Sequence, residues 1–288
     1  MEVTLNVKRF NPESEDQVNK YQQYTLEVED YFTVLDALIK VREEVDGTLS
    51  LRCSCRASIC GSCSMRVNGH AKLVCKTKIT DVTSEGKPVT IEPMGNMPVI
   101  KDLVTDMKPF WDRIRAVEPY LQPHGEEPAS EYTASSESML HLTGVMGCIM
   151  CGACVSDCTA LEVDKNFLGP AALAKAYRFV ADPRDDADDK RLSMYSESGG
   201  IWDCTRCMEC VEVCPKGVAP MDRIMNLRDK AIEAGYTNNN GARHTEAFTE
   251  SIRHSGQLDE LRLPIKTFGM FNIPALLGLL PVGLRAFR

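Results

Sequence analysis

The run CTRCMECVEVCP, residues 204–215, decides the fold together with its echo CIMCGACVSDC at 148–158. Both space their cysteines as C-x2-C-x2-C-x3-C: Cys148, Cys151, Cys154 and Cys158 in one, Cys204, Cys207, Cys210 and Cys214 in the other, with Pro215 next. Such a turn directs three thiolates at one metal cluster, and the next helical turn points the fourth toward a neighbour. Two of these runs make the bacterial two-cluster arrangement, in which each fourth cysteine ligates the other run's cubane-type cluster. The expected sets are Cys148, Cys151, Cys154 and Cys214 for one [4Fe–4S] cluster, and Cys158, Cys204, Cys207 and Cys210 for the second.

A third group lies nearer the N-terminus, where SCRASICGSC (54–63) gives Cys55-x4-Cys60-x2-Cys63, with Cys75 further on. This is the plant-type [2Fe–2S] spacing. Its small residues, Ala57, Ser58, Gly61 and Ser62, let a loop wrap a flat cluster and aim backbone N–H groups at its sulfides. Structural zinc instead favours two separated C-x2-C knuckles. Cys53 fits no ligand position and is expected to be a free or buried thiol.

The rest of the composition narrows the function. Thirteen cysteines are an odd number for disulfides, and the N-terminus MEVTLNVKRF lacks the basic and apolar regions of a secretory signal, so a reducing cytosol is expected. Thiolates packed this densely repel unless a cation binds them. A net charge of −8 without a basic stripe argues against nucleic acid. No G-x-G-x-x-G turn offers a dinucleotide site, and His70, His124, His141, His244 and His254 share no spacing with the cysteines, so each is expected at the surface or in the core.

The pattern around these motifs predicts an α+β chain. Val3, Leu5 and Val7 alternate, as do Tyr24, Leu26 and Val28, predicting two strands joined by a turn near Asn11–Pro12. Thr33 with Asp36 resembles a capping box opening a helix with Val34, Leu38, Val41 and Val45 on one face, ended by Gly47. Short strands are predicted at 65–67, before an Asn68–Gly69 turn, at 72–75 and at 89–91, a small β-grasp pattern. Beyond Pro98 helices are expected at 101–117, 170–181 and 221–234, the last stopped by Gly235. Gln122–Ser138 is expected to be a connection and the Asp-rich 182–191 a solvated loop.

With the three motifs in order, the chain resembles the iron–sulfur subunit of succinate dehydrogenase and fumarate reductase over about residues 1–235. The likeness rests on SCRASICGSC (54–63), MPVIKDLVTDM (97–107), CIMCGACVSDC (148–158), LGPAALAKAYRF (168–179) and CVEVCPKGV (210–218). It implies a β-grasp plant-type ferredoxin domain over 1–105, an all-α bacterial-ferredoxin-like domain over 106–240, and a tail over 241–288. It also implies a separate flavoprotein subunit with FAD, where succinate and fumarate interconvert, and a membrane-side partner that handles quinone. The subunit would then sit peripherally on the cytoplasmic face of the membrane, as part of a complex.

Two departures from common members stand out. They carry an aliphatic residue where this chain has Cys207, and their last cluster is then [3Fe–4S]. A full ligand set here implies a second [4Fe–4S] cluster of lower potential, a spectator Cys207 beside [3Fe–4S] being the alternative. They also have proline after the fourth cysteine and an aromatic soon after, lining the quinone pocket, where this chain has Thr159 and Val163. The tail GARHTEAFTESIRHSGQLDELRLP (241–264) looks like a subunit found with heterodisulfide-reductase-type proteins, in which a cysteine-rich partner replaces the usual anchor. Residues 268–287 are apolar but interrupted by Asn272, Pro274, Pro281 and Arg285, so contact with a partner or a membrane surface is expected rather than a span. Competing functions are an iron–sulfur subunit serving another flavoprotein or a thiol/disulfide couple, and a zinc-bearing scaffold.

Overall fold

The computed structural model describes residues 1–13, 20–84, 86–123, 125 and 127–279; His124 and the 280–288 end of the apolar tail lie outside the described residues. Strands β1 (Glu2–Arg9) and β2 (Lys20–Glu27) pair antiparallel, with Leu5 opposite Tyr24. Their alternation buries Val3, Leu5, Val7, Tyr24 and Leu26 on one face. With β3 (Ser64–Val67), β4 (His70–Leu73) and β5 (Val89–Glu92) they form a five-stranded sheet ordered β2-β1-β5-β3-β4. Among the described residues only the β1–β5 pair of this sheet is parallel. Asn68 and Gly69 both take positive φ, 50° and 88°, the conformation a two-residue hairpin between β3 and β4 requires.

Helix α1 (Val34–Lys40) opens on the capping box expected of Thr33 and Asp36 and buries Val34, Leu35 and Leu38 against the sheet. Its end differs from expectation. The chain widens into a π turn over Val41–Val45 that turns Val45 out to 58% exposure, and Asp46 rather than Gly47 is the C-cap. The physical reason is Asp46 itself, whose carboxylate accepts from Arg9 at 2.6 Å and from the Tyr24 hydroxyl at 2.7 Å, pulling the chain out of the helix onto the sheet.

The helix expected over 101–117 is likewise shorter. Residues 99–105 form a hairpin of β6 (Val99–Lys101) and β7 (Val104–Thr105), and only then does α2 (Lys108–Ala116) begin, with Pro109 in its first turn. Asp102 fixes this hairpin. At φ 47° its buried carboxylate accepts from Arg9 Nε at 2.9 Å and from the backbone N–H groups of Phe10 at 3.1 Å and Ser50 at 2.9 Å.

The second half is helical: α3 (Ser136–Met139), α4 (Ala153–Ser156), α5 (Thr159–Val163), α6 (Gly169–Val180), α7 (Asp188–Tyr195), α8 (Glu209–Glu212), α9 (Pro220–Glu233), α10 (Asn240–Ser255), α11 (Arg262–Phe268) and α12 (Ile273–Gly278). Leu173, Tyr177 and Val180 of α6 bury in one core with Phe110, Phe167, Tyr195, Ile224 and Leu227. Pro170 stands in the first turn of α6, and Gly235 follows α9 at positive φ, both as expected. Among the described residues no helix is long and apolar enough to cross a membrane.

The Asp-rich stretch 182–191 is no solvated loop. Asp182, Asp185 and Arg191 are buried and α7 starts within it. Arg191 grips Asp185 at 2.9 Å and donates to the carbonyls of Val117, Glu118 and Tyr120 at 3.3, 2.9 and 2.8 Å. The Asp182 carboxylate accepts from Arg184 and Arg178, each at 2.7 Å, which holds its pKa down at about 2. Charge composition alone does not distinguish solvated carboxylates from ones paired inside.

The halves meet along α4. Asp157 accepts from the Ala71 N–H at 2.7 Å and pairs with Arg66 at 3.4 Å. Asn96 donates to the carbonyls of Val155, Ser156 and Cys158 at 2.9, 3.2 and 3.0 Å.

Candidate metal centres

Between Cys55 and Cys63 the chain places Arg56, Ser58 and Gly61 at φ 53°, 58° and 73°. Interspersed left-handed residues turn successive N–H groups inward and make an anion-binding concavity. The Cys55 sulfur accepts from the N–H groups of Ala57 and Ile59 at 3.4 Å and of Cys60 at 3.2 Å; the Cys60 sulfur accepts from the Cys55 N–H at 3.5 Å and meets the Ser62 hydroxyl at 3.1 Å. The Ser62 hydroxyl and these amides hold the Cys60 thiol down at about 6, whereas burial pushes Cys63 up to about 12. Cys75 comes from the turn after β4, which returns the chain so that the Val74 N–H donates to the Cys63 carbonyl at 3.4 Å. This backbone suits a flat, anionic two-iron cluster. Cys53 is half-buried against the same core.

The two later motifs are copies in backbone as well as in spacing. Cys148 and Cys204 each follow a 3-10 turn, at 145–147 and 201–203. Met150 and Gly152 have φ 57° and 80°; Arg206 and Met208 have 59° and 70°. A single helical turn follows each, α4 and α8. Cys207 therefore occupies in the second loop the place Cys151 holds in the first. Met208 takes a left-handed conformation at a cost of about 1–2 kcal/mol.

The eight thiols fall into two neighbourhoods. Cys148, Cys151, Cys154 and Cys214 line one cavity whose remaining walls include Phe110, Ile149, Ala171, Ala174 and Val218. Burial, reinforced by Cys148 and Cys214, pushes Cys151 up to about 11, and burial raises Cys154 well above its ordinary value, with Cys151, Cys148, Cys214 and also Cys210 of the second group adding to it. Burial likewise raises Cys158, where Cys207 and Cys204 add to it, and lifts Cys210 to about 12, with Cys204, Cys158 and Cys207 adding. Crowded thiols resist ionising unless a cation joins them, and iron is such a cation. Among the described residues no three His, Cys, Asp or Glu side chains lie close enough to share a single metal ion. A polynuclear core spreads its ligands over separate corners.

The two departures seen in the sequence are neighbours in space. Burial raises the Cys207 thiol, but hydrogen bonds from the Thr159 hydroxyl, the Glu209 backbone, the Thr205 hydroxyl and the Thr159 backbone outweigh it and hold the thiol below its ordinary value. Proline at 159 would have no N–H to give. Val163, on the outer side of α5, is 90% exposed.

Sequence reasoning missed the groups that hold these loops. Asp157 and Asn96 pin α4, and Arg228 of α9 donates to the carbonyls of Ile201, Trp202 and Cys204 at 2.8, 3.0 and 2.8 Å, fixing the entry to the second loop. Gly61 lies directly against Cys151, where a Cβ would come within 2.7 Å of the Cys151 Cβ. None has a spacing signature, because each acts on a residue far away in sequence. His141 meets the Ala181 carbonyl at 2.6 Å and His244 the Thr267 hydroxyl at 3.3 Å.

Comparison with known proteins agrees with this layout. Residues 4–112 match the family model described as a 2Fe-2S iron-sulfur cluster binding domain, and residues 144–218 the one described as a 4Fe-4S dicluster domain. The chain is 38% identical over 228 residues to the "Fumarate reductase iron-sulfur subunit" of Mycobacterium tuberculosis, covering 78% of this chain and 91% of that one. It is 35% identical over 264 residues to the "8-methylmenaquinol:fumarate reductase iron-sulfur subunit" of Wolinella succinogenes, covering 88% and 82%. A chain of the Mycobacterium smegmatis Sdh1 complex in the apo form superposes with TM-score 0.75 at 27% identity, over 82% of this chain and 98% of that one.

Proposed function

The chain belongs to the family of iron–sulfur subunits of succinate dehydrogenase and fumarate reductase, and from that premise we propose how its parts share the work of electron transfer. Residues 1–105 are a β-grasp domain holding [2Fe–2S] on Cys55, Cys60, Cys63 and Cys75. Residues 106–240 are a helical ferredoxin-like domain holding [4Fe–4S] on Cys148, Cys151, Cys154 and Cys214. A second [4Fe–4S] is held by Cys158, Cys204, Cys207 and Cys210, with [3Fe–4S] as the alternative if Cys207 is not a ligand. The tail, 241–288, contacts a partner subunit or a membrane surface. When bound, the three clusters supply one-electron carriers between FAD on a flavoprotein subunit and a quinone-reactive partner on the cytoplasmic face of the membrane.

One observation carries this reading: two loops have the same left-handed positions, Cys214 lines the cavity of Cys148, Cys151 and Cys154, and Cys158 stands beside Cys204, Cys207 and Cys210. The exposed Cys55–Cys60 loop suits the flavoprotein side, because a two-electron donor must approach the first carrier closely. The partner at the far end is an anchor or a cysteine-rich, heterodisulfide-reductase-like subunit. The second description is favoured by Thr159 and the exposed Val163, which stand where common relatives line a quinone pocket. The test is to purify the complex, identify its other polypeptides, and assay succinate-dependent dye reduction. Activity with a flavin-bearing partner supports the assignment. Cluster-loaded complex without succinate or fumarate activity, but with thiol/disulfide activity, selects the competing flavoprotein or disulfide reading.

A further inference from the structure

The two later cysteine loops share a backbone but not a charge. At matching left-handed positions, φ 57° and 59°, the first carries Met150 and the second Arg206, which lies between Cys204 and Cys207. Behind the second loop stands a further cation, Arg228 of α9, only 5% exposed. Of the two arginines buried in the described chain, Arg191 pairs with Asp185, whereas Arg228 forms no ion pair among the described residues. Its bonds go to the carbonyls of Ile201, Trp202 and Cys204, and its guanidinium lies 5.4 Å from the Trp202 ring centroid. Burial and the Arg206 charge pull the Arg228 guanidinium down to about 10, which Cys204 and Asp203 only partly offset. Asp203 is itself exposed and accepts from the Gly199 N–H at 2.6 Å. The cavity lined by Cys148, Cys151, Cys154 and Cys214 has one charged residue on its described walls, the exposed Lys216.

A buried cation without a carboxylate is costly unless another negative charge compensates it. Four thiolates around iron and sulfide supply such a charge. An added electron makes it more negative, so a cation held nearby favours the reduced form and raises the potential. We propose that Arg206 and Arg228 raise the reduction potential of the cluster held by Cys158, Cys204, Cys207 and Cys210, offsetting the lowering that a fourth iron brings. This deepens the proposed function and rests on its assignment of a cluster to those four cysteines.

The test is an EPR-monitored redox titration of the cluster-loaded full chain beside R206M, R228Q and R228K. R206M puts the first loop's residue into the second at an exposed position, so it leaves the core intact. At a fixed potential, R228Q should raise the oxidised-to-reduced ratio of that cluster about ten-fold, a fall of about 59 mV for one electron, and R206M should raise it about three-fold. R228K keeps the charge and should stay near wild type, and the other two clusters should move far less in every variant. Raising salt from about 0.1 to 1 M should shrink the R206M shift, because Arg206 is exposed, and leave that of R228Q. An unchanged potential in both R206M and R228Q would overturn the proposal. So would an equal fall in R228K and R228Q, which would make Arg228 a structural clamp on the loop. If R228Q loads no cluster, R206M alone decides, a fall supporting the proposal and no change overturning it. Iron analysis and EPR showing no cluster on those four cysteines in the wild type would overturn the assignment and the proposal with it.

Discussion

Gly61 is where the first cysteine loop comes up against the second, and Gly61→Ala isolates that contact. A Cβ there would lie 2.7 Å from the Cys151 Cβ and 2.8 Å from its Cα, on a backbone at φ 73°. Carbon atoms pack at about 3.5–4.0 Å, so the loops must separate by about 1 Å. The left-handed conformation costs about 1–2 kcal/mol for a residue with a Cβ. Overpacking of this kind adds about 1–3 kcal/mol. Together that is about 2–5 kcal/mol, and at about 2–4 °C per kcal/mol the melting temperature should fall by about 5–15 °C. Gly69→Ala is the control, because Gly69 has φ 88° but a Cβ there would meet nothing within 4 Å, leaving the conformational cost alone. The assay is thermal loss of visible absorbance in the anaerobic, cluster-loaded chain, with the EPR signals of the reduced protein recorded beside it. G61A should melt well below G69A and disturb the signals of both the two-iron cluster and the cluster on Cys151. Equal melting of the two variants would refute the close-contact reasoning.

Four further outcomes follow from the geometry. Cys207→Val should lower iron from about ten to about nine per chain and introduce the oxidised-state EPR signal of a three-iron cluster; unchanged iron would make Cys207 a spectator. Thr159→Val removes the hydroxyl donor to Cys207 and should make the fourth iron of that cluster more labile to air, read as faster growth of the same signal. Arg191→Met strands the buried Asp185 and three carbonyls, and should cost about 3–5 kcal/mol in denaturant unfolding. For Asp182 the folded pKa of about 2 lies below the unfolded value of 3.8, so its stabilisation is present above about pH 4 and fades as pH falls toward 2. The melting gap between wild type and Asp182→Asn should accordingly be widest above pH 5 and narrow below pH 4, and a gap constant with pH would contradict the pairing with Arg184 and Arg178.

The legible parts of the molecule were those governed by local pattern. Alternation located β1 and β2, the Thr33–Asp36 pair opened α1, Asn68–Gly69 marked a hairpin, and the cysteine spacings pointed to the loops that group them. The places where expectation failed are places where one polar residue is captured by a distant element. Asp46 unwinds the end of α1, Asp102 turns 99–105 into a hairpin, and Asp182, Asp185 and Arg191 convert an acidic run into a buried network. At the candidate centres the same division holds. Cysteines declare themselves through spacing, whereas Asn96, Asp157, Thr159 and Arg228 act through contacts with groups distant in sequence that no periodicity encodes.

The most direct measurement is iron and acid-labile sulfide per chain, with EPR of the reduced form, on protein reconstituted without oxygen. Twelve cysteines grouped in fours predict about ten irons, about ten sulfides and three interacting paramagnets. A colourless protein, or one holding zinc in place of iron and sulfide, would contradict the account.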